Sequence, residues 1–307
     1  MKTTKTPLAA LATALVGSAS ATLFIHEPFD YAPTNPVNNG AFLGDGNQAG
    51  GPGLGAWTQA NTNTNDIDVA DGGLTFTDGG GNSLPVSGNS LERPVRQGQA
   101  AVSSPINVAA TNGLTADNST MWMTFLYQDR GFSGPDFGIG LQSENMIGND
   151  NQTLAAPGFG VGFSINSTSG PARNIGTSIY NNSTEFTRIT EATATFDGPG
   201  SSDVLLLGMK VNWNPSGTPD EIFVFNITDL TTEPLESAAL ASDTFDFDLA
   251  TQNSLDVFNI SETQVANVDE VRVATTFDDA VGGGTIPEPS SLALLGLSSL
   301  LLARRRR

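Results

Sequence analysis

Read for the alternation of apolar and polar positions, the chain is a succession of short strands. Residues 121–128 give the clearest pattern: Met121, Met123, Phe125 and Tyr127 share one side, and Trp122, Thr124, Leu126 and Gln128 share the other. Both sides are apolar near the middle, which predicts a central strand covered on two faces. Residues 204–213 read as a second strong strand through Leu205, Leu206, Leu207, Met209, Val211 and Trp213. Asn214-Pro215-Ser216-Gly217 then turns the chain, and 221–228 returns with Ile222, Val224 and Asn226 opposite Phe223, Phe225 and Ile227, a hairpin. Further strands are expected at 23–29, 67–69, 74–77, 101–108, 137–141, 159–165, 175–180, 244–249, 255–260 and 268–274. Asp71-Gly72-Gly73 is a hairpin cue between 67–69 and 74–77. In 159–165, glycines at 158, 160 and 162 alternate with Phe159, Val161 and Phe163, so one side is bare backbone on which something packs closely.

No amphipathic helix and no repeat of fixed period interrupts this series. The expectation is an all-β protein, a two-sheet antiparallel jelly-roll sandwich, occupying residues 22–281 as one domain. A Gly-rich joint follows at 282–286, opening with Gly282-Gly283-Gly284.

The two ends break the pattern. Lys2 and Lys5 precede a short apolar run, and Ala19-Ser20-Ala21 has the small-x-small form of a cleavage site. Residues 1–21 therefore read as a secretory signal peptide cut after Ala21, with signal peptidase and the secretion machinery as the partners implied. At the other end, Pro287-Glu288-Pro289 precedes an apolar run from Leu292 to Leu302 and then Arg304, Arg305, Arg306 and Arg307. The prolines keep the tripeptide out of a helix. The apolar run suits a bilayer, and the arginines should stay on the cytoplasmic side of it. Residues 290–303 would span about 21 Å as a helix at 1.5 Å per residue, short of the roughly 30 Å hydrocarbon core. That shortness suits a signal that is removed better than a permanent anchor.

The three-part tail resembles the PEP-CTERM sorting signal. The resemblance implies an exosortase, a membrane transpeptidase that recognises the tripeptide and processes the tail, leaving a body that is anchored in the inner membrane only transiently.

Charge and composition narrow what that body does. The whole chain carries −19; without residues 1–21 and the tail, seven basic residues face 31 acidic ones, a net charge near −24. Such a surface repels nucleic acid and anionic lipid and favours a hydrated matrix. There is no cysteine, which excludes disulfides, thiolate metal sites and cysteine nucleophiles.

Four segments resemble concanavalin A/laminin-G-like jelly rolls: Glu27-Pro28-Phe29-Asp30-Tyr31, the Gly-rich loop closing on Trp57, the strand from Trp122 to Tyr127, and the stretch from Val268 to Phe277. The resemblance implies a scaffold that carries lectins, glucanases, calcium-dependent adhesion modules and silent structural domains, and it does not choose among them.

Candidate chemistry is sparse. His26 is the single histidine, at the mature N-terminus, with no nucleophile elbow near any serine; it reads as an ordinary first-strand residue. The paired carboxylates of a retaining glycosidase would have to share a strand face, but Asp220-Glu221 lacks the expected spacing, and of Asp243, Asp246 and Asp248 only the last two share a face. Gly158 to Gly162 lacks the lysine and helix of a phosphate loop. Trp122 and Trp213 read as core, and Trp57, after a loop, is weighed between core and stacking on a sugar. Asp66, Asp68 and Asp71 are the nearest approach to a calcium site, with turn chemistry as the alternative; a structural calcium is the one cofactor admitted. Seven Asn-x-Ser/Thr sites occur, among them Asn226 and Asn259 on expected strands, and general modification is not expected.

The function expected is that of a non-catalytic exported protein of the cell surface or extracellular matrix, associated with exopolysaccharide. The alternatives are a carbohydrate-binding, lectin-like module and a glycoside hydrolase.

Overall fold

The computed structural model describes residues 23–32, 48–59, 67–92, 100–107, 114–129, 136–147, 153–167, 172–195, 203–247, 255–262 and 266–282. These residues form two large antiparallel sheets packed face to face. The first runs β15 (Ala241–Phe245), β14 (Asp220–Ile227), β13 (Leu205–Trp213), β6 (Ser119–Asp129), β17 (Ala266–Ala274), β4 (Ser90–Glu92) and β3 (Asp68–Ala70), with β1 (Leu23–Glu27) also paired to β17. The second runs β12 (Thr187–Thr195), β11 (Ala172–Ser183), β10 (Gly158–Ser167), β7 (Asp136–Gln142), β16 (Val257–Glu262), β5 (Ala100–Pro105) and β2 (Thr58–Gln59). A two-stranded ribbon of β8 (Met146–Ile147) and β9 (Thr153–Leu154) lies outside both. The single α-helical turn among the described residues is α1 (Phe277–Ala280).

The alternation in β6 has the consequence its pattern demands. Met121, Met123, Phe125 and Tyr127 enter the main core between the sheets, with Val161, Phe163 and Ile139 from the facing sheet. Trp122 and Leu126 point the other way, into a second apolar layer with Phe225, Phe277, Ala280 and Val281. Trp122 stacks edge-on to Phe277 at 5.2 Å, and the Thr124 hydroxyl donates to the Ala280 carbonyl at 2.6 Å. Thus α1 roofs the outward face of the first sheet. On the outward face of the second, Ala101, Met146, Leu154 and Tyr180 make a third cluster beneath the β8–β9 ribbon. The Asn259 amide secures that ribbon: it accepts from the Met146 N–H at 3.2 Å and donates to Gln142 Oε1 at 2.5 Å and the Glu144 carbonyl at 3.0 Å.

The expected hairpin between β13 and β14 is present, pairing Leu206 with Ile227 through Asn212 with Glu221. Its counterpart at Asp71-Gly72-Gly73 is not. Residues 74–77 form no strand; β3 pairs instead with β4, about 20 residues on. The physical reason is that the Leu74 N–H is taken by the Asp269 carboxylate at 2.7 Å, which leads the chain away from β3. Two strands exceed expectation. Residues 175–180 belong to the twelve-residue β11, and β12 was not anticipated, because Thr187–Thr195 has little apolar alternation and is held by its ladder to β11.

The bare-backbone side of β10 is where β7 approaches. A Cβ on Gly140 would lie 2.4 Å from the Val161 carbonyl oxygen and 2.8 Å from the Gly162 Cα, both backbone atoms that cannot step aside. Gly140→Ala should therefore cost about 1–3 kcal/mol by forcing the strands apart, read as a lower urea midpoint at unchanged slope. Gly79→Ala, where nothing lies within 4 Å, should stay within about 0.5 kcal/mol of wild type. Equal midpoints for the two variants would refute this account of the glycine strip.

Candidate functional site

Three of the segments that resemble jelly rolls meet at one seam, where the first and last strands pair. Leu23 lies opposite Ala274 and Glu27 opposite Val271. Strand β17 is bulged there: Asp269 faces Leu126 and Arg272 faces Thr124, so two residues oppose one on β6. Glu270, inside the bulge, has φ 49°, a left-handed conformation rare for a glutamate. The bulge divides the far edge of β17 between two partners, with Asn267 and Val268 on β4 and Val271 to Ala274 on β1.

Carboxylates fill the interval. Asp269 accepts from the backbone N–H of Leu74 and of Glu270, both at 2.7 Å. Glu270 accepts from the Ser87 N–H at 2.5 Å, contacts His26 Nε2 at 2.7 Å and accepts from Arg272 Nη2 at 2.8 Å. Arg272 also donates to the Pro85 carbonyl. On the opposite side of β1, the Glu27 carboxylate accepts from four donors: the Phe29 N–H at 2.8 Å, the Tyr31 hydroxyl at 2.6 Å, the Gly51 N–H at 2.7 Å and the Trp57 indole at 3.1 Å. The Gly-rich loop comes close enough for this because Gly53, at φ 89°, has no side chain; a Cβ there would strike the Phe24 carbonyl. Glu27, Asp269 and Glu270 are each sealed from solvent, so what they touch is the protein itself.

Their protonation follows from this packing. Burial alone would raise the Glu270 carboxyl, but the His26 hydrogen bond, the Arg272 guanidinium and the Ser87 N–H more than offset it and hold Glu270 below the usual carboxylate range. Asp269 goes the other way. Burial pushes it up to about 8, helped by the Glu270 charge and resisted by its two backbone donors and Arg272. Burial, then the adjacent Glu27 carboxylate, raises the Tyr31 phenol.

The candidates expected from sequence distribute differently. Trp57 does not offer a face to a sugar: it is 1% exposed and packs against Phe29 and Phe258 in the main core. The reason is its indole N–H, which Glu27 draws inward. Of the calcium trio, Asp68 is buried on β3, Asp71 stands exposed at the turn after it, and Asp66 lies outside the described residues. Among the described residues no group of three or more histidine, aspartate or glutamate side chains could hold a metal ion. His26 is the first-strand residue expected, now with Glu270 as its partner. Asn259 is buried with its amide committed, so that Asn-x-Ser site is no acceptor in the folded body. Ala19, Ala21, Pro287, Glu288, Pro289 and Arg304 to Arg307 lie outside the described residues, and no helix among the described ones is long and apolar enough to cross a membrane.

Two tests address the seam. Glu27→Ala would remove the shared acceptor of two buried and two half-buried donors and should cost about 2 kcal/mol or more, measured by urea denaturation; a loss below about 1 kcal/mol would show that Glu27 does not hold the loops. For Asp269, the unfolded chain titrates near 3.9 and the folded body near 8. The folded state thus binds the extra proton between those values, so this group's stabilisation is complete below about pH 4 and is lost as pH rises through about 8. The thermal midpoint should decline from about pH 5 to 8.5, and Asp269→Asn, neutral throughout, should flatten that decline. An unchanged slope in the variant would refute the assignment.

Comparison with known proteins places the tail. Residues 285–307 match the PEP-CTERM protein-sorting motif. No curated protein matches the chain. Among solved structures, the chain is similar to a carbohydrate esterase, vb_24B_21, of the Shiga toxin-encoding bacteriophage phi24B (10% identity, 84% of this chain and 100% of that one, TM-score 0.42). It is also similar to the Ca2+/Man3GlcNAc-bound exoplasmic/lumenal domain of VIP36 (8% identity, 73% and 86%, TM-score 0.38) and to the alginate lyase vAL-1 from a Chlorella virus (9% identity, 80% and 99%, TM-score 0.33). No activity or ligand transfers at this level of likeness. The chain is an exported protein: an all-β sandwich that carries a PEP-CTERM protein-sorting motif at residues 285–307.

Proposed function

We propose that this chain is a non-catalytic protein of the cell surface or extracellular matrix, delivered through its tail and associated with exopolysaccharide. The carrying observation is the sorting motif at 285–307, joined by a few residues to a closed sandwich whose buried acids hold its own loops together. In this reading, signal peptidase cuts after Ala21. The apolar run from Leu292 to Leu302 then holds the body at the inner membrane, with Arg304 to Arg307 as the stop. An exosortase-type enzyme recognises Pro287-Glu288-Pro289 and processes the tail, and the body passes to the surface or the matrix.

The body's electrostatics support the destination. Each of the four basic residues among the described ones is engaged. Arg173 Nε lies 2.5 Å from Asp129, Lys210 contacts Glu233 at 3.0 Å and Glu236 at 2.9 Å, Arg188 stacks over Phe186, and Arg272 holds Glu270. The negative excess is therefore left to the surface, where it binds water and counter-ions and keeps nucleic acid away.

Replacing Pro287, Glu288 and Pro289 together by alanine should leave an unprocessed form in the inner-membrane fraction, its mass still including the arginine cluster. The wild-type body should appear at the surface or in the medium without it. Identical fractionation of the two would remove the proposal.

A further inference from the structure

The place where the chain leaves the sandwich constrains how the body stands before processing. Phe277, Ala280 and Val281 are buried in the apolar layer on the outward face of the first sheet. Gly282 ends that layer at φ 105°, its N–H donating to the Asp279 carbonyl at 3.3 Å. A Cβ on Gly282 would meet Arg272 Nη1 and the Pro85 ring, each at 2.6 Å, so the last residue of the body is fitted against its neighbours. The tether therefore starts from a fixed point on one known face.

Whatever its conformation, the tether is short. Ten residues carry the chain from Gly282 to Leu292, a reach of at most about 36 Å fully extended. Crossing the headgroup layer uses about 6 Å of this. A body of some 260 residues has a radius of gyration near 18 Å, hence a diameter of roughly 45 Å. The tether is shorter than the body it holds, so the body cannot roll over to present its other side to the bilayer.

We infer that, until its tail is processed, the body cannot turn the outward face of the second sheet to the phospholipid surface, and the α1-covered face of the first sheet is the one its tether holds nearest. The inference rests on the proposed sorting function, through its membrane-held intermediate. Leu235 marks this face. It is 73% exposed and precedes Glu236, which contacts Lys210; the Lys210 amine lies 5.9 Å from the Trp122 ring, and Trp122 stacks on Phe277 of α1. The negative body gains nothing from anionic headgroups; tether length, not attraction, enforces the arrangement. The opposite side is marked by Glu185, exposed after β11 beside Phe186, which packs on Tyr180 of the outward cluster, and within reach of Thr153 of the β8–β9 ribbon.

The chain has no cysteine of its own, which makes the test direct. Leu235→Cys and Glu185→Cys are introduced singly into the full chain carrying alanines at 287–289, and spheroplasts are labelled with a bulky membrane-impermeant maleimide. Each variant is repeated with a Gly-Ser insertion of about 20 residues after Gly284, which adds about 25 Å of average reach. The insertion should speed labelling at 235 several-fold and leave 185 unchanged. Equal effects at both positions, no effect at either, or a larger effect at 185 would overturn the orientation. If no membrane-held form accumulates, the sorting reading itself fails, and the orientation falls with it.

Discussion

The structure depends on how buried backbone donors are satisfied where its two ends meet. Strand β17 serves three neighbours, and the bulge at Asp269 and Glu270 that makes this possible also interrupts the ladder. Each buried N–H left without an acceptor would cost about 1–3 kcal/mol. Asp269 and Glu270 supply the acceptors for Leu74 and Ser87, and Glu27 does so for Gly51 and Phe29. Three buried carboxyls beside one arginine and one histidine would repel one another if all were ionised. The proton that Asp269 keeps up to about 8 relieves this, while Glu270 carries the charge that Arg272 compensates and the His26 and Ser87 hydrogen bonds stabilise.

The seam also sets the order in which the body can close. Its partners are separated by most of the chain: His26 meets Glu270 across 244 positions. Contacts at that separation form late, because the loop they close must first be ordered. Strand β1 begins at Leu23, and β17 ends at Ala274, eleven residues before the matched motif. The clamp thus assembles only when β1 and β17 are both present on the same side of the membrane.

Around the seam, the cations among the described residues are committed to partners within the body. Arg173 crosses from the second sheet to Asp129 of the first at one end of the core, and Lys210 lies over Trp122 between two glutamates. With both outward sheet faces carrying apolar cover, α1 on one and the β8–β9 ribbon on the other, the body is closed on three layers.

Much of this was legible along the chain because it is local. Strand β6 has a side-chain period of two with both phases apolar, and that alone requires cover on two faces. The return of β14 on β13 follows from one Pro-Gly turn between two apolar runs, and the delivery tail is a contiguous word. Strand β12 was not legible, since its residues are polar and only a neighbouring edge makes them a strand. Nor was the turn at Asp71, whose cue is overridden by a carboxylate 195 positions from Leu74. The roles of Glu27, Asp269 and Glu270, and the burial of Trp57, belong wholly to the tertiary structure. An acid in a sequence reads as solvated charge, and only the folded chain brings to it the backbone donors that make burial cheaper than exposure. The sequence by itself therefore determined the sandwich and its address, because periodicity and short motifs are properties of neighbours. The closure of the fold was decided in three dimensions, because hydrogen-bond partners far apart in the chain are found only there.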